Sequence, residues 1–229
     1  ATTQISLVRH HTEQIQPPRA LWVSFDLGRP FGPPNDAEFQ RRVLSSALEL
    51  LEVESGPVIV DFPDDEPATD GDQNGWACPI NFSRPEQELT GSAVIAAALK
   101  NEFAQFAPWY DKAVEKHGRT TVGVSGLELD DMANLFGAML DDALPPSPVE
   151  ELPLADVVRL SAQDVKAYMT EAASAQPGDA GARQLAEWFW NETATGGIFK
   201  QLRDRCLASE DEAIKLLGIV LLVPTSQAA

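Results

Sequence analysis

Cysteine and histidine are scarce: 2 and 3 residues in a chain of 229. That excludes a disulfide framework and leaves little for a histidine-rich metal site. Basic side chains are also few, 17 Lys and Arg against 35 Asp and Glu, for a net charge of −18. Such a surface repels phosphate backbones and anionic lipid, so neither nucleic acid nor a membrane is expected as a partner. No apolar run of about 18 residues is present to span a bilayer, and the start does not read as a signal peptide. An Ala at position 1 points to a lost initiator Met or to a cut from a longer chain. The phosphate-cradling patterns GxxxxGK[ST] and GxGxxG are absent, as is HExxH. Gly123-Val124-Ser125-Gly126 misses the GxSxG nucleophile elbow by one residue. There is no internal repeat. These absences leave a soluble, acidic, cytoplasmic globular protein for which no cofactor is implied.

What is present suggests an α/β protein: a parallel-sheet N-terminal part with a long loop excursion, then an all-helical C-terminal region. Thr3–Val8 and Ala20–Phe25 are short apolar runs with strand character, and Val58–Val60 is a third. Arg9–Arg19 between the first two is polar. Asp36 stands where an N-cap should, before Phe39, Val43, Ala47, Leu50 and Leu51 at helical spacings. Residues 61–85 carry many acids and prolines without a period and read as the excursion. A helix is expected over Glu86–Lys116, bent at Pro108, then a strand at Thr120–Ser125 and a helix at Leu129–Leu144. Pro145-Pro146-Ser147-Pro148 is the linker candidate, dividing an α/β domain (1–144) from a helical region (145–229) packed on it or on a partner. The first 60 residues hold 5 basic and 7 acidic groups, so the front of the chain opposes an anionic ligand least.

Several residues have the chemistry of a site. Arg9-His10-His11 follows a strand, where α/β sheets place ligands; Arg clamps carboxylates and His moves protons. The plainer alternative is a polar loop start. Gly28 and Gly32 bracket a proline-stiffened loop that could present Arg29 and backbone N–H groups to an anion, or could simply turn the chain. Cys78 sits among acids, which would raise its pKa; it is either a thiol activated by an arginine or a spectator. Asp70–Asn81 starts like a calcium loop but ends in Asn where a bidentate Glu is needed, so whether it holds a cation stays open. Trp188-Phe189-Trp190 cannot all face one way on a helix, so Trp188 and Trp190 are candidates for a partner interface as well as for a core. Ala213–Val223, apolar but for Lys215, suits a buried or docked helix.

Residues Thr2–Asn35, above all Pro17-Pro18-Arg19-Ala20-Leu21-Trp22-Val23 and Leu27-Gly28-Arg29-Pro30-Phe31-Gly32-Pro33-Pro34-Asn35-Asp36, with Phe39-Gln40-Arg41-Arg42-Val43 after them, carry a resemblance. This stretch resembles the later part of component B of the glycine/sarcosine/betaine reductases and the related D-proline reductase subunit, over about the first 55 residues. The resemblance implies an oxidoreductase in which a thiol or selenol attacks an activated carbon of a small amine- or carboxylate-bearing substrate. No segment here matches the one that carries that family's reactive selenocysteine or cysteine. A partner subunit bearing Cys or Sec is therefore expected to supply the nucleophile, within a homo- or hetero-oligomer. Arg9, His10 and Arg29 would line the crevice between them. The competing reading is a non-catalytic scaffold that binds through its acidic helices and aromatic cluster.

Overall fold

The computed structural model describes residues 1–67, 91–178, 180–224 and 227. The chain divides into two compact units, Ala1–Thr69 and Asp70–Ala229.

Unit 1 is built as strand, helix, strand, helix, strand: β1 (Gln4–Ser6), α1 (Arg9–Ile15), β2 (Arg19–Trp22), α2 (Ala37–Glu49) and β3 (Val58–Asp61). The strands form a parallel sheet in the order β1-β2-β3. Ser6 lies opposite Trp22 and Trp22 opposite Asp61, so all three strands end on one row. The adjacent row, Ile5, Leu21 and Val60, faces the other side because side chains alternate along a strand. Asp36 caps α2 as its position predicts, its Oδ1 accepting the Phe39 N–H at 3.0 Å. The helix buries Phe39, Val43 and Ala47 against Leu21, Val23 and Phe25. Phe25, Phe39 and Phe62 close this core with ring centroids 5.4–5.9 Å apart.

Unit 2 is helical among the described residues: α3 (Ser92–His117), α4 (Leu129–Met139), α5 (Leu154–Ser174), α6 (Ala182–Glu192), α7 (Ala194–Leu207) and α8 (Glu212–Leu216), which runs on as a π-helical turn, Leu217–Leu221. Helix α3 packs on α4 and α5, with Pro108 inside it. Leu99, Phe106, Phe136, Met169, Phe199 and Leu202 are fully buried at the centre.

The unit division falls after Thr69, and the described residues 91–144 belong to the same unit as the C-terminal helices. Two expectations are corrected here. Pro145–Pro148 is a fastened link inside unit 2, where the Ser147 hydroxyl donates to the carbonyls of Val149 (2.8 Å) and Leu152 (2.7 Å). Thr120–Ser125 is not a strand, because its backbone donors go to side chains instead of to a ladder. Asp164 of α5 accepts the N–H groups of Gly123, Val124 and Ser125 at 2.8–3.0 Å, and Glu171 accepts that of Thr121 at 2.8 Å.

Candidate functional site at the sheet edge

The carboxyl ends of parallel strands are where α/β proteins place ligands, and in unit 1 they gather charge. Arg9 opens α1 three residues after Ser6 ends β1. Its Nε donates to Glu13 Oε1 at 2.9 Å and its Nη1 to Asp61 at the end of β3. The hydrogen bond to Asp61 raises the guanidinium pKa still further. The same guanidinium lies 5.3 Å from the centre of the Trp22 ring, at the end of β2. The Trp22 indole N–H is buried and has no hydrogen-bond partner among the described residues. Below, Ser6 and Thr12 share a hydroxyl–hydroxyl hydrogen bond.

Asp61-Phe62-Pro63-Asp64-Asp65-Glu66, which the sequence assigns to a free excursion, is a strap around this edge. Asp61 holds Arg9 of α1, Asp64 holds Arg42 of α2, and Asp65 accepts from the Ser24 hydroxyl at 2.5 Å. Glu66 reaches Arg29 Nη1 at 3.1 Å. Exposed ion pairs are individually weak, but here four ties fix one short segment against α1, α2 and the loop between β2 and α2. Arg42 also stacks near Phe39 and Phe62, which anchors it over the core.

Arg9 and Arg29 each pair with a carboxylate of the same strap, Asp61 and Glu66 respectively. His10 is exposed beside Arg9, with its Nε2 3.0 Å from Gln14 Nε2. Gly28 is exposed with φ 94° and open space where a Cβ would stand. Gly32 is buried, with φ 86°, and a Cβ there would lie 2.5 Å from the Phe39 ring. The first thus leaves room at the loop surface, while the second is a packing requirement. Cys78 and Asp70–Asn81 lie outside the described residues. Among the described residues, no group of three or more His, Cys, Asp or Glu could hold a metal ion.

Trp188 and Trp190 are 4% and 5% exposed, which makes them core residues of unit 2. Successive aromatics point different ways, but Phe106 meets Trp188 and Phe199 meets Trp190, so both sides of α6 are covered. The apolar tail is split: Ile214, Leu217, Leu222 and Val223 are buried, while Leu216, Ile219, Val220 and Leu221 are exposed. Cys206 is fully buried, and burial pushes its thiol up to about 11, so it is inert as a nucleophile. No helix among the described residues is long and apolar enough to cross a membrane.

Sequence reasoning missed Trp22, Arg42, Asp61, Asp64, Asp65 and Glu66. The signal was available, because the rule that singled out Arg9 after β1 applies equally to the residues that end β2 and follow β3. No protein-family model, curated protein or solved structure matches the chain.

Proposed function

We propose that the chain is a subunit of a reductase like the glycine/sarcosine/betaine and D-proline reductases, receiving a small amine- or carboxylate-bearing substrate at the sheet edge of unit 1. The supporting observation is the row Ser6–Trp22–Asp61, where Arg9 stacks on Trp22 and the Arg29 loop is fastened to the same strap. The stretch with the family resemblance, Thr2–Asn35, is the one that supplies Arg9, Trp22 and Arg29 to this edge. Arg9 and Arg29 orient the substrate's acidic group, and the nucleophilic thiol or selenol comes from a partner chain. Cys206 cannot serve, since it is sealed in the core of unit 2. The scaffold reading is weakened by the burial of Trp188 and Trp190, which removes its aromatic anchors.

Isolation of the native complex under gentle conditions tests this. A Cys- or Sec-bearing partner should co-purify, and the complex should reduce a small amine- or carboxylate-bearing substrate with a dithiol as electron donor. Arg9→Ala should lower kcat/KM about tenfold or more without dissociating the complex. A chain that purifies alone, or a complex without reductase activity, overturns the reading.

A further inference from the structure

Helix α2 buries one apolar face inside its own unit, through Phe39, Val43 and Ala47, and Leu50 continues that face in the 3-10 turn Leu50–Glu52. A second apolar row stays outside: Leu44, Leu48 and Leu51 are 44%, 50% and 37% exposed. At i, i+4 and i+7 they form one stripe, roughly 110° around the axis from the buried face. Single exposed apolar side chains are ordinary, but three at heptad spacing are the seam by which one helix packs on another. The ends of the stripe carry opposite charge. Arg41, one turn before Leu44, and Glu52, beside Leu51, are exposed, and neither has an ion-pair partner among the described residues. Arg42, by contrast, is held by Asp64.

An antiparallel copy of the same helix answers both features. With a two-fold axis crossing the stripe between Leu44 and Leu48, Leu44 of each copy meets Leu48 of the other, and Arg41 of each meets the Leu51-Glu52 end of the other. We infer that the chain forms a two-fold dimer through Leu44, Leu48 and Leu51 of α2, with Arg41 of each copy paired to Glu52 of the second. The charges fix the orientation, because a parallel pair would set Arg41 against Arg41 and Glu52 against Glu52. They also favour a second copy as the occupant: an unrelated helix needs an apolar row with the reverse order of charge, and symmetry supplies both. Repulsion between two chains of −18 opposes the contact. It is least at this end, where residues 1–60 hold 5 basic and 7 acidic groups, and salt screens what remains. The inference goes beyond the reductase reading and does not rest on it.

Sedimentation velocity of the full chain over a concentration series tests this. The mass should rise from that of one chain to that of two. Leu48→Glu should weaken the dimer at least tenfold, since it sets a charge in the seam of each copy. Leu44→Gln should act in the same direction, which keeps the test open should Leu48→Glu fold poorly; circular dichroism checks each variant. Arg41→Glu should weaken the dimer about threefold to tenfold by placing two acids together, and adding Glu52→Arg to the same chain should restore it. If the double variant stays as weak as Arg41→Glu, the antiparallel pairing is refuted. If the chain sediments as a single copy at every concentration up to about 0.3 mM, or Leu48→Glu and Leu44→Gln both leave the dimer unchanged, the interface falls. A chain that is monomeric alone and holds a different polypeptide, lost in Leu48→Glu, assigns the stripe to that partner and overturns the dimer.

Discussion

Asp164 illustrates how much one side chain can organise. It is fully buried and accepts three backbone N–H groups together with the Ser125 hydroxyl at 2.5 Å. Burial alone would push its pKa up, but the bonds from Ser125 and the neighbouring amides outweigh burial and hold it below the ordinary carboxylate range. Glu171 is lowered by the same balance, with the Thr121 hydroxyl and amide prevailing over burial. Glu102 of α3, whose carboxylate accepts from the start of α7, goes the other way: burial raises it in spite of the bonds from Thr195 and Ala194. The signs follow from linkage. Asp164 and Glu171 stabilise the fold above the ordinary carboxylate pKa and lose that contribution as pH falls through their lowered values. Glu102 contributes below its unfolded pKa and loses that contribution as pH rises through its raised one. The melting temperature of unit 2 should therefore fall on acidification below about pH 4, with a shallower fall in Asp164→Asn. At neutral pH, Asp164→Asn should cost about 3 kcal/mol in denaturant melts, because it puts an amide NH₂ where a carboxylate oxygen accepted.

At the scale of elements, α3 and α4 meet at a glycine. A Cβ on Gly137 would lie 2.4 Å from the Ser92 carbonyl oxygen, and backbone cannot step aside as a side chain can. Gly→Ala within a helix ordinarily gains about 1 kcal/mol. Here the clash should reverse the sign, and Gly137→Ala should destabilise by about 2 kcal/mol, read from the shift of its unfolding midpoint. A gain in stability would show that the helices can move apart freely. Local sequence signals predicted α2 and α4, since the Asp36 cap and the helical spacing of apolar residues lie within one segment of α2, and the apolar spacing alone marks α4, which ends at Met139 rather than at Leu144. They failed for Thr120–Ser125, whose apolar, β-branched Thr-Thr-Val-Gly-Val was read as a strand. What that segment obeys is Asp164 and Glu171, some 40 to 50 positions further along. No local window contains them.

For the whole molecule, two separate cores mean two units to unfold. Among the described residues, unit 1 buries eight apolar side chains in its core and unit 2 twenty-eight. Small cores are marginal, so unit 1 should melt first. Leu21→Ala should lower only the first transition, by about 2–5 kcal/mol, and Met169→Ala only the second, by a similar amount. The fluorescence of Trp22 reports on one and that of Trp188 and Trp190 on the other. A single transition shifted equally by both variants would show that the units unfold as one. The same division places the chemistry. Cys206, at the centre of the larger core, should resist a thiol reagent at neutral pH and react only once unit 2 unfolds.

The three strands of unit 1, the capped α2 and the helical series were legible in the amino-acid order itself, while α1 was not, since Arg9–Arg19 reads there as a polar loop. Each legible element depends on neighbours within a turn or two. Which charges meet was decided by the tertiary structure. Arg9 and Asp61 are 52 residues apart, and only the parallel register that sets Ser6, Trp22 and Asp61 on one row brings them together. The fate of the aromatics was settled in the same way. Trp188 and Trp190 face different directions on α6, and they are buried because separate neighbours cover both sides of that helix.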